Sequence, residues 1–243
     1  MNHTAPATAH ALPQAAIDIA PGDADPVAQL LALRSGEATE AEHSVVEELL
    51  ARMLDRGDER GLVDIAYRTV DSPLGPLLIA STDAGVVRLA FGVQGHDRVL
   101  DDLAASISPR ILRMPRKLDR AATELDQYFR GLRTAFTVSV DMQLAHGFRR
   151  SVLDRLPHIP YGRTAGYAEI ATAAGRAHAA RSVGTACAKN PVPIIVPCHR
   201  VVRSDGSLGG YVGGPDAKRN LLDIESQSLE RGIDFGDADG SVL

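Results

Sequence analysis

Short apolar runs broken by turn residues dominate the stretch from Val63 to Phe91. AYRTV (66–70), PLLIA (76–80) and VVRLAF (86–91) are separated by SPLG (72–75) and STDAG (81–85). Runs of that length, rich in β-branched residues and punctuated by Gly, Pro, Ser and Asp, predict an antiparallel meander. From Lys117 to Leu132 the pattern changes. Leu118, Ala122, Leu125, Phe129 and Leu132 recur at helical spacing, which predicts an amphipathic helix with that stripe inward. AFTVSV (135–140) predicts a returning strand. Residues 61–142 are thus expected to form a small mixed α/β domain with no evident cluster of catalytic side chains.

Near His146 the texture shifts again. GFRRSVLDRL is amphipathic and runs into IPYGRTAGY, a Pro/Gly-punctuated turn. AEIATAAG and HAARSVGTACAKN then predict two short Ala-rich helices joined across Gly175–His178, the size of a helix-turn-helix. Ala173, Ala174, Ala179, Ala180 and Gly184 let such helices approach closely, although Ala-rich pairs also occur in cores that bind nothing. AKRNLLDIES predicts a terminal helix, and residues 229–243 a tail. Upstream, residues 1–26 are rich in Ala and Pro and predict a flexible leader. Asp25 to Arg56 shows helical spacing broken between Gly36 and Thr39, so residues 1–60 are expected to be a leader with a short helical extension of unassigned role.

Composition narrows the classes. Of 243 residues, 44% are hydrophobic and 23% charged, an ordinary globular mix. No apolar run approaches the ~20 residues of a membrane helix, and the N-terminus lacks the basic start and apolar core of a signal peptide. Only two cysteines are present, Cys187 and Cys198, too few for a disulfide scaffold or a four-Cys metal site. A cytoplasmic location is expected. The net charge of -5 hides a segregation: residues 145–220 hold 11 Lys/Arg and 4 Asp/Glu, leaving 15 and 27 for the rest. A basic third attached to an acidic remainder fits a polyanion-facing region, or a chance segregation on a solvated surface.

Residues 190–214 read NPVPIIVPCHRVVRSDGSLGGYVGG. Pro191, Pro193 and Pro197 stiffen the approach to Cys198, which suits holding one side chain at a fixed point. A thiol acts as a nucleophile when nearby cationic or donor groups favour the thiolate, and His199 and Arg200 are candidates. Chain neighbours in an extended segment point apart, so a bridging water is the more natural link from Cys198 to His199. The plain alternative is a small buried hydrophobe, which is also the expectation for Cys187.

NPVPIIVPCHRVV, with IPYGRTAGYAEIA, AARSVG, GSLGGYVGG and AKRNLLDIE around it, resembles the active-site region of O6-alkylguanine-DNA alkyltransferases (methylated-DNA–protein-cysteine methyltransferases). The resemblance is close over roughly 146–226, weaker over 62–140 and absent over 1–60. It implies an α/β fold of two domains. The first, at 61–142, is ribonuclease-H-like. The second, at 143–228, is a winged helix-turn-helix-type domain carrying the acceptor cysteine. It implies direct-reversal DNA repair, a single-use transfer of the alkyl group from O6-alkylguanine to Cys198, with O4-alkylthymine left open as a substrate.

The resemblance also implies roles. Cys198 accepts the alkyl group, His199 relays its proton through water, and Glu225 orients His199. Asn190 is the hinge from the recognition helix, and Tyr167 lies beside the extruded nucleotide and its phosphate. Arg181 fills the gap left by the flipped base; Ala180, Lys189 and Arg200 are further DNA contacts. Tyr211, Val212, Gly213 and Pro193 line the base pocket. No metal and no cofactor are implied, and the family's occasional zinc site needs cysteines this chain lacks. The partner implied is double-stranded DNA, held through phosphates and the minor groove by a monomer, with cooperativity left open. Ala188 stands where some relatives carry a basic residue, and Val212 where several carry Ser. The thiol is expected beneath the helix pair and facing a cavity. A DNA-binding protein without chemistry and a cysteine hydrolase remain the competing classes.

Overall fold

The computed structural model describes residues 60–231 and, upstream, only Leu49, Arg52, Met53, Arg56 and Gly57. The leader and most of the helical extension expected for residues 1–60, and the expected tail 229–243 apart from its first three residues, therefore lie outside the described residues; residues 229–230 end the last helix rather than starting a tail. Strands β1 (Ile65–Val70), β2 (Leu77–Thr82) and β3 (Gly85–Phe91) form the expected meander, with β1–β2 and β2–β3 antiparallel. A fourth strand, β4 (Ile111–Arg113), pairs parallel to β1, giving the order β3-β2-β1-β4. Helix α1 (His96–Ser106) connects β3 to β4, and helix α2 (Asp119–Phe129) follows.

The strands are apolar on both faces because both faces are covered. Ile65, Leu78, Ala80, Val87 and Ala90 pack with Val99 and Leu103 of α1. Ala66, Leu77, Ile79, Val86, Leu89 and Phe91 face α2 through Leu125 and Tyr128. Alternate residues of one strand serve opposite layers.

Two expectations for this domain are corrected. The buried positions of α2 are Ala121, Glu124, Leu125 and Tyr128, following Leu118, while Leu132 is 51% exposed. Leu118 and Leu125 of the expected stripe are buried and Phe129 is half-buried against the core, but the stripe is incomplete because two further inward residues, Glu124 and Tyr128, are polar. Residues 135–140 are not a strand: only Val86 and Val140 form a bridge. The reason is the buried carboxylate of Glu124, which accepts from the amides of Thr137 (2.7 Å) and Val138 (3.3 Å) and so takes the donors a ladder needs. Val86 still donates to Ser139 O at 2.9 Å, and Gly85 (φ +137) sits so close to Ser139 that a Cβ would fall on its carbonyl.

The C-terminal half holds α3 (Gly147–Leu153), α4 (Tyr167–Ala173), α5 (Ala180–Ala188) and α6 (Gly214–Glu230). Short strands β5 (Ala165–Gly166) and β6 (Val201–Val202) pair parallel. The α4–α5 pair is the expected helix-turn-helix, buried through Ile170, Ala171, Val183 and Ala186. One core runs through both halves, and the amide of Leu89 on edge strand β3 donates to Pro191 O at 2.9 Å. That bond ties the sheet to the segment leading to Cys198. Among the described residues, no helix is long and apolar enough to cross a membrane.

Candidate active site

Residues 191–200 are all buried, and they leave α5 in a tight loop rather than a strand. Asn190, 1% exposed, closes that loop. Its Nδ2 donates to Val196 O at 2.8 Å and to Cys198 Sγ at 3.1 Å, and its Oδ1 accepts from the amide of Val192 at 3.0 Å. Ile194 is held at φ +72, costly for a β-branched residue and sustained here by the surrounding packing. A 3-10 turn, Cys198–Arg200, then presents Cys198 and His199 before β6 begins.

Glu225, on α6, is 0% exposed and gathers this turn. Its Oε1 lies 2.8 Å from His199 Nε2, Arg200 donates to both of its oxygens at 2.9–3.2 Å, and the amide of Gly162 donates to Oε2 at 2.8 Å. Although burial works against its charge, these donors pull its carboxyl down to about 2, so it is ionised. An ionised carboxylate only accepts, so His199 Nε2 carries the hydrogen and Nδ1 the lone pair. Nδ1 is buried and has no protein partner among the described residues. Burial depresses His199, with Glu225 opposing, which favours the neutral, proton-accepting imidazole. Burial pushes the Cys198 thiol up to about 11, while the Asn190 hydrogen bond and the Lys218 charge oppose that rise. The sulfur at rest is a thiol.

The remaining predicted residues fall in three places. Tyr167 opens α4 and is half-buried, with its hydroxyl against Gly209 (φ +68), where a Cβ would come within 2.6 Å. Tyr211 packs edge-on against Phe91 (5.6 Å between ring centroids) and His199 (6.4 Å), and its buried hydroxyl has no partner among the described residues. Gly213 lies against the Phe91 ring, Val212 is half-buried beside it, and Pro193 is buried. Ala180 is half-buried at the first turn of α5, whose N-cap makes no side-chain bond; Arg181 beside it and Lys189 beyond the helix end are exposed.

Two expectations are corrected. Arg200 does not face solvent as a DNA contact. It is 6% exposed, and its guanidinium is consumed by Glu225 and by Ile159 O at 2.7 Å. Cys198 does not open to solvent: it is 1% exposed, with Tyr167 and Tyr211 within electrostatic range. A cleft of about 340 Å³ lies nearby, but its walls include Arg88, Lys189, Asn190 and Val212 and not the sulfur.

Sequence reasoning missed Lys218 and Tyr128. Lys218, fully buried on α6, donates from Nζ to Val201 O at 2.6 Å and to Leu208 O, tying β6 to the segment that carries Tyr211. Tyr128, from α2, donates to Glu225 Oε1 at 2.8 Å and lies 3.4 Å from His199 Nε2. No local pattern marks either residue. Their partners lie on other segments of the chain.

Comparison with known proteins matches both halves. The family described as 6-O-methylguanine DNA methyltransferase, ribonuclease-like domain, matches residues 65–142, and its DNA binding domain matches residues 147–227. A methylated-DNA–protein-cysteine methyltransferase of Methanosarcina barkeri is 39% identical over 166 residues, 67% of this chain and 98% of the relative. That of Mycolicibacterium paratuberculosis is 40% identical over 161 residues, covering 66% and 92%. Among solved structures, the O6-methylguanine methyltransferase of Mycobacterium tuberculosis superposes with a TM-score of 0.58 at 37% identity, covering 68% of this chain and 94% of that one. The same organism's protein in complex with DNA gives 0.56 at 36%, covering 67% and 94%.

Proposed function

The chain belongs to the methylated-DNA–protein-cysteine methyltransferase family, and we propose that it removes alkyl groups from O6-alkylguanine in cellular DNA by moving each onto Cys198, once per molecule. The observation that carries this reading is the buried constellation of Cys198 with Asn190 at 3.1 Å, next to a His199–Glu225 couple at 2.8 Å.

The target base must leave the stack to meet a buried sulfur, and unstacking costs a few kcal/mol. Arg181, exposed and without an acidic partner among the described residues, fills the gap. The uncapped amides at the start of α5 around Ala180, with Lys189, hold phosphates. The base enters between Tyr167, Tyr211, Val212, Gly213 and Pro193. His199 Nδ1 takes the thiol proton through a water, and the thiolate attacks the alkyl carbon. The C–O6 bond breaks with its electron pair on guanine, Tyr167 supplies guanine a proton, and the histidinium restores the tyrosine through solvent. Burial raises Tyr167, so it holds that proton at neutral pH. Asn190 donates to the developing thiolate. The product is a thioether that no group here can cleave, hence single use.

Titrating a fixed amount of protein with duplex carrying O6-methylguanine tests this. Repaired guanine rises to one per protein and stops. Continued turnover contradicts the proposal, as does full activity in Cys198→Ser.

A further inference from the structure

We propose that the N-terminal domain takes part in the proton relay through Tyr128, a positioning residue whose hydroxyl shares Glu225 Oε1 with His199 and so keeps the imidazole free to accept the thiol proton. The inference rests on Cys198 being the alkyl acceptor. Every other member of the relay comes from the C-terminal domain; Tyr128 comes from the last turn of α2. Its hydroxyl is 2.8 Å from Glu225 Oε1, the oxygen that also meets His199 Nε2 at 2.8 Å, and it lies 3.4 Å from that nitrogen.

The hydroxyl has no freedom to be elsewhere. The Tyr128 ring is 0% exposed and packed against Phe129 (5.6 Å between centroids), Phe136 (5.4 Å) and Tyr161 (6.1 Å). Just beyond α2, Gly131 (φ +70) lies so near α6 that a Cβ would fall on Ser228 Oγ. The domains meet with no slack at this point, and the contact fixes Tyr128 against Glu225.

Each donor to a carboxylate oxygen lowers the negative charge it offers to the others, and Oε1 is shared by Tyr128, His199 and Arg200. Removing the tyrosine donor concentrates Oε1 on the Nε2 hydrogen. That stabilises the imidazolium, and a histidine already protonated cannot take a proton from Cys198. The other groups near His199 are Lys218 on α6, Arg200 on its own turn, Tyr211 from the segment before α6 and its chain neighbour Cys198. None of these donates to Oε1 except Arg200, which divides its bonds between both oxygens. Tyr128 stays protonated because burial and the Glu225 charge both hold the proton on it.

The test is the pH profile of the transfer rate, measured with O6-methylguanine duplex for wild type and Tyr128→Phe. The acid limb of the variant is expected to move to higher pH by on the order of half a unit. A uniform loss of rate with the limb unmoved, or a shift to lower pH, overturns the proposal and marks Tyr128 as merely structural. If Tyr128→Phe does not fold, 3-fluorotyrosine placed at 128 keeps the shape and strengthens the donor; the limb must then move to lower pH, and an unmoved limb overturns the proposal. Failure of wild type to transfer at all would instead remove the reading of Cys198.

Discussion

The side-chain amide of Asn190 donates to the sulfur of Cys198 at 3.1 Å across eight residues of chain. The same amide group, with its carbonyl, holds Val196 O and the amide of Val192. One residue thus both shapes the loop and touches the nucleophile, so loop stability and thiol reactivity are coupled.

Asn190→Ala is expected to destabilise the protein by about 2–4 kcal/mol, because a buried N–H and a buried carbonyl lose their partners. Denaturant midpoints measure this. Transfer by the folded fraction should also slow, since the Asn190 donor favours the thiolate; an unchanged rate would separate the two roles.

Glu225 ties stability to pH. Its carboxyl lies at about 2 in the fold against an ordinary 4.5. Depressed in the folded state, it contributes on the order of 3 kcal/mol that is fully present above pH 4.5 and lost as the pH falls toward 2. Glu225→Gln leaves the buried Arg200 unpaired and is expected to cost about 3–5 kcal/mol at neutral pH. The gap between wild type and variant in unfolding free energy should narrow on acidification through that window. A gap independent of pH would mean the carboxylate is not ionised in the fold.

Arg181→Ala should slow repair of duplex DNA at least tenfold, roughly 1.4 kcal/mol at 25 °C, while reaction with free O6-benzylguanine stays near wild type. The free base needs no extrusion. Parallel loss on both substrates would remove Arg181 from the gap-filling role.

Gly85→Ala is expected to cost about 2–4 kcal/mol in thermal or denaturant unfolding, from strain at φ +137 and a clash with the Ser139 carbonyl, which cannot rotate away. Gly175→Ala, at φ +82 but with open space around it, should cost less. Equal costs would show that strain alone decides.

The elements legible in the sequence are those whose information is local. The meander β1–β3, the α4–α5 pair and the Pro-rich approach to Cys198 each lie in one contiguous stretch. Strand β4 has three residues with Leu112 exposed, and it exists because β1 offers a parallel edge, so nothing local marks it. The inward face of α2 was hidden because Glu124 and Tyr128 are polar residues whose partners, Thr137 and Glu225, lie on other segments. Arg200, beside the cysteine, looked like a cation for DNA; only the fold reveals that Glu225, 25 residues on, consumes it. Glu225 itself was legible through family resemblance alone, since on its helix it looks like any solvated carboxylate.

The most direct measurement is peptide mapping by mass spectrometry after exposure to duplex DNA bearing O6-methylguanine. The account predicts one added methyl group per molecule, located on the peptide containing Cys198 and absent from Cys198→Ser. An unmodified Cys198 peptide alongside repaired DNA, or a methyl group found on Cys187 instead, would contradict it.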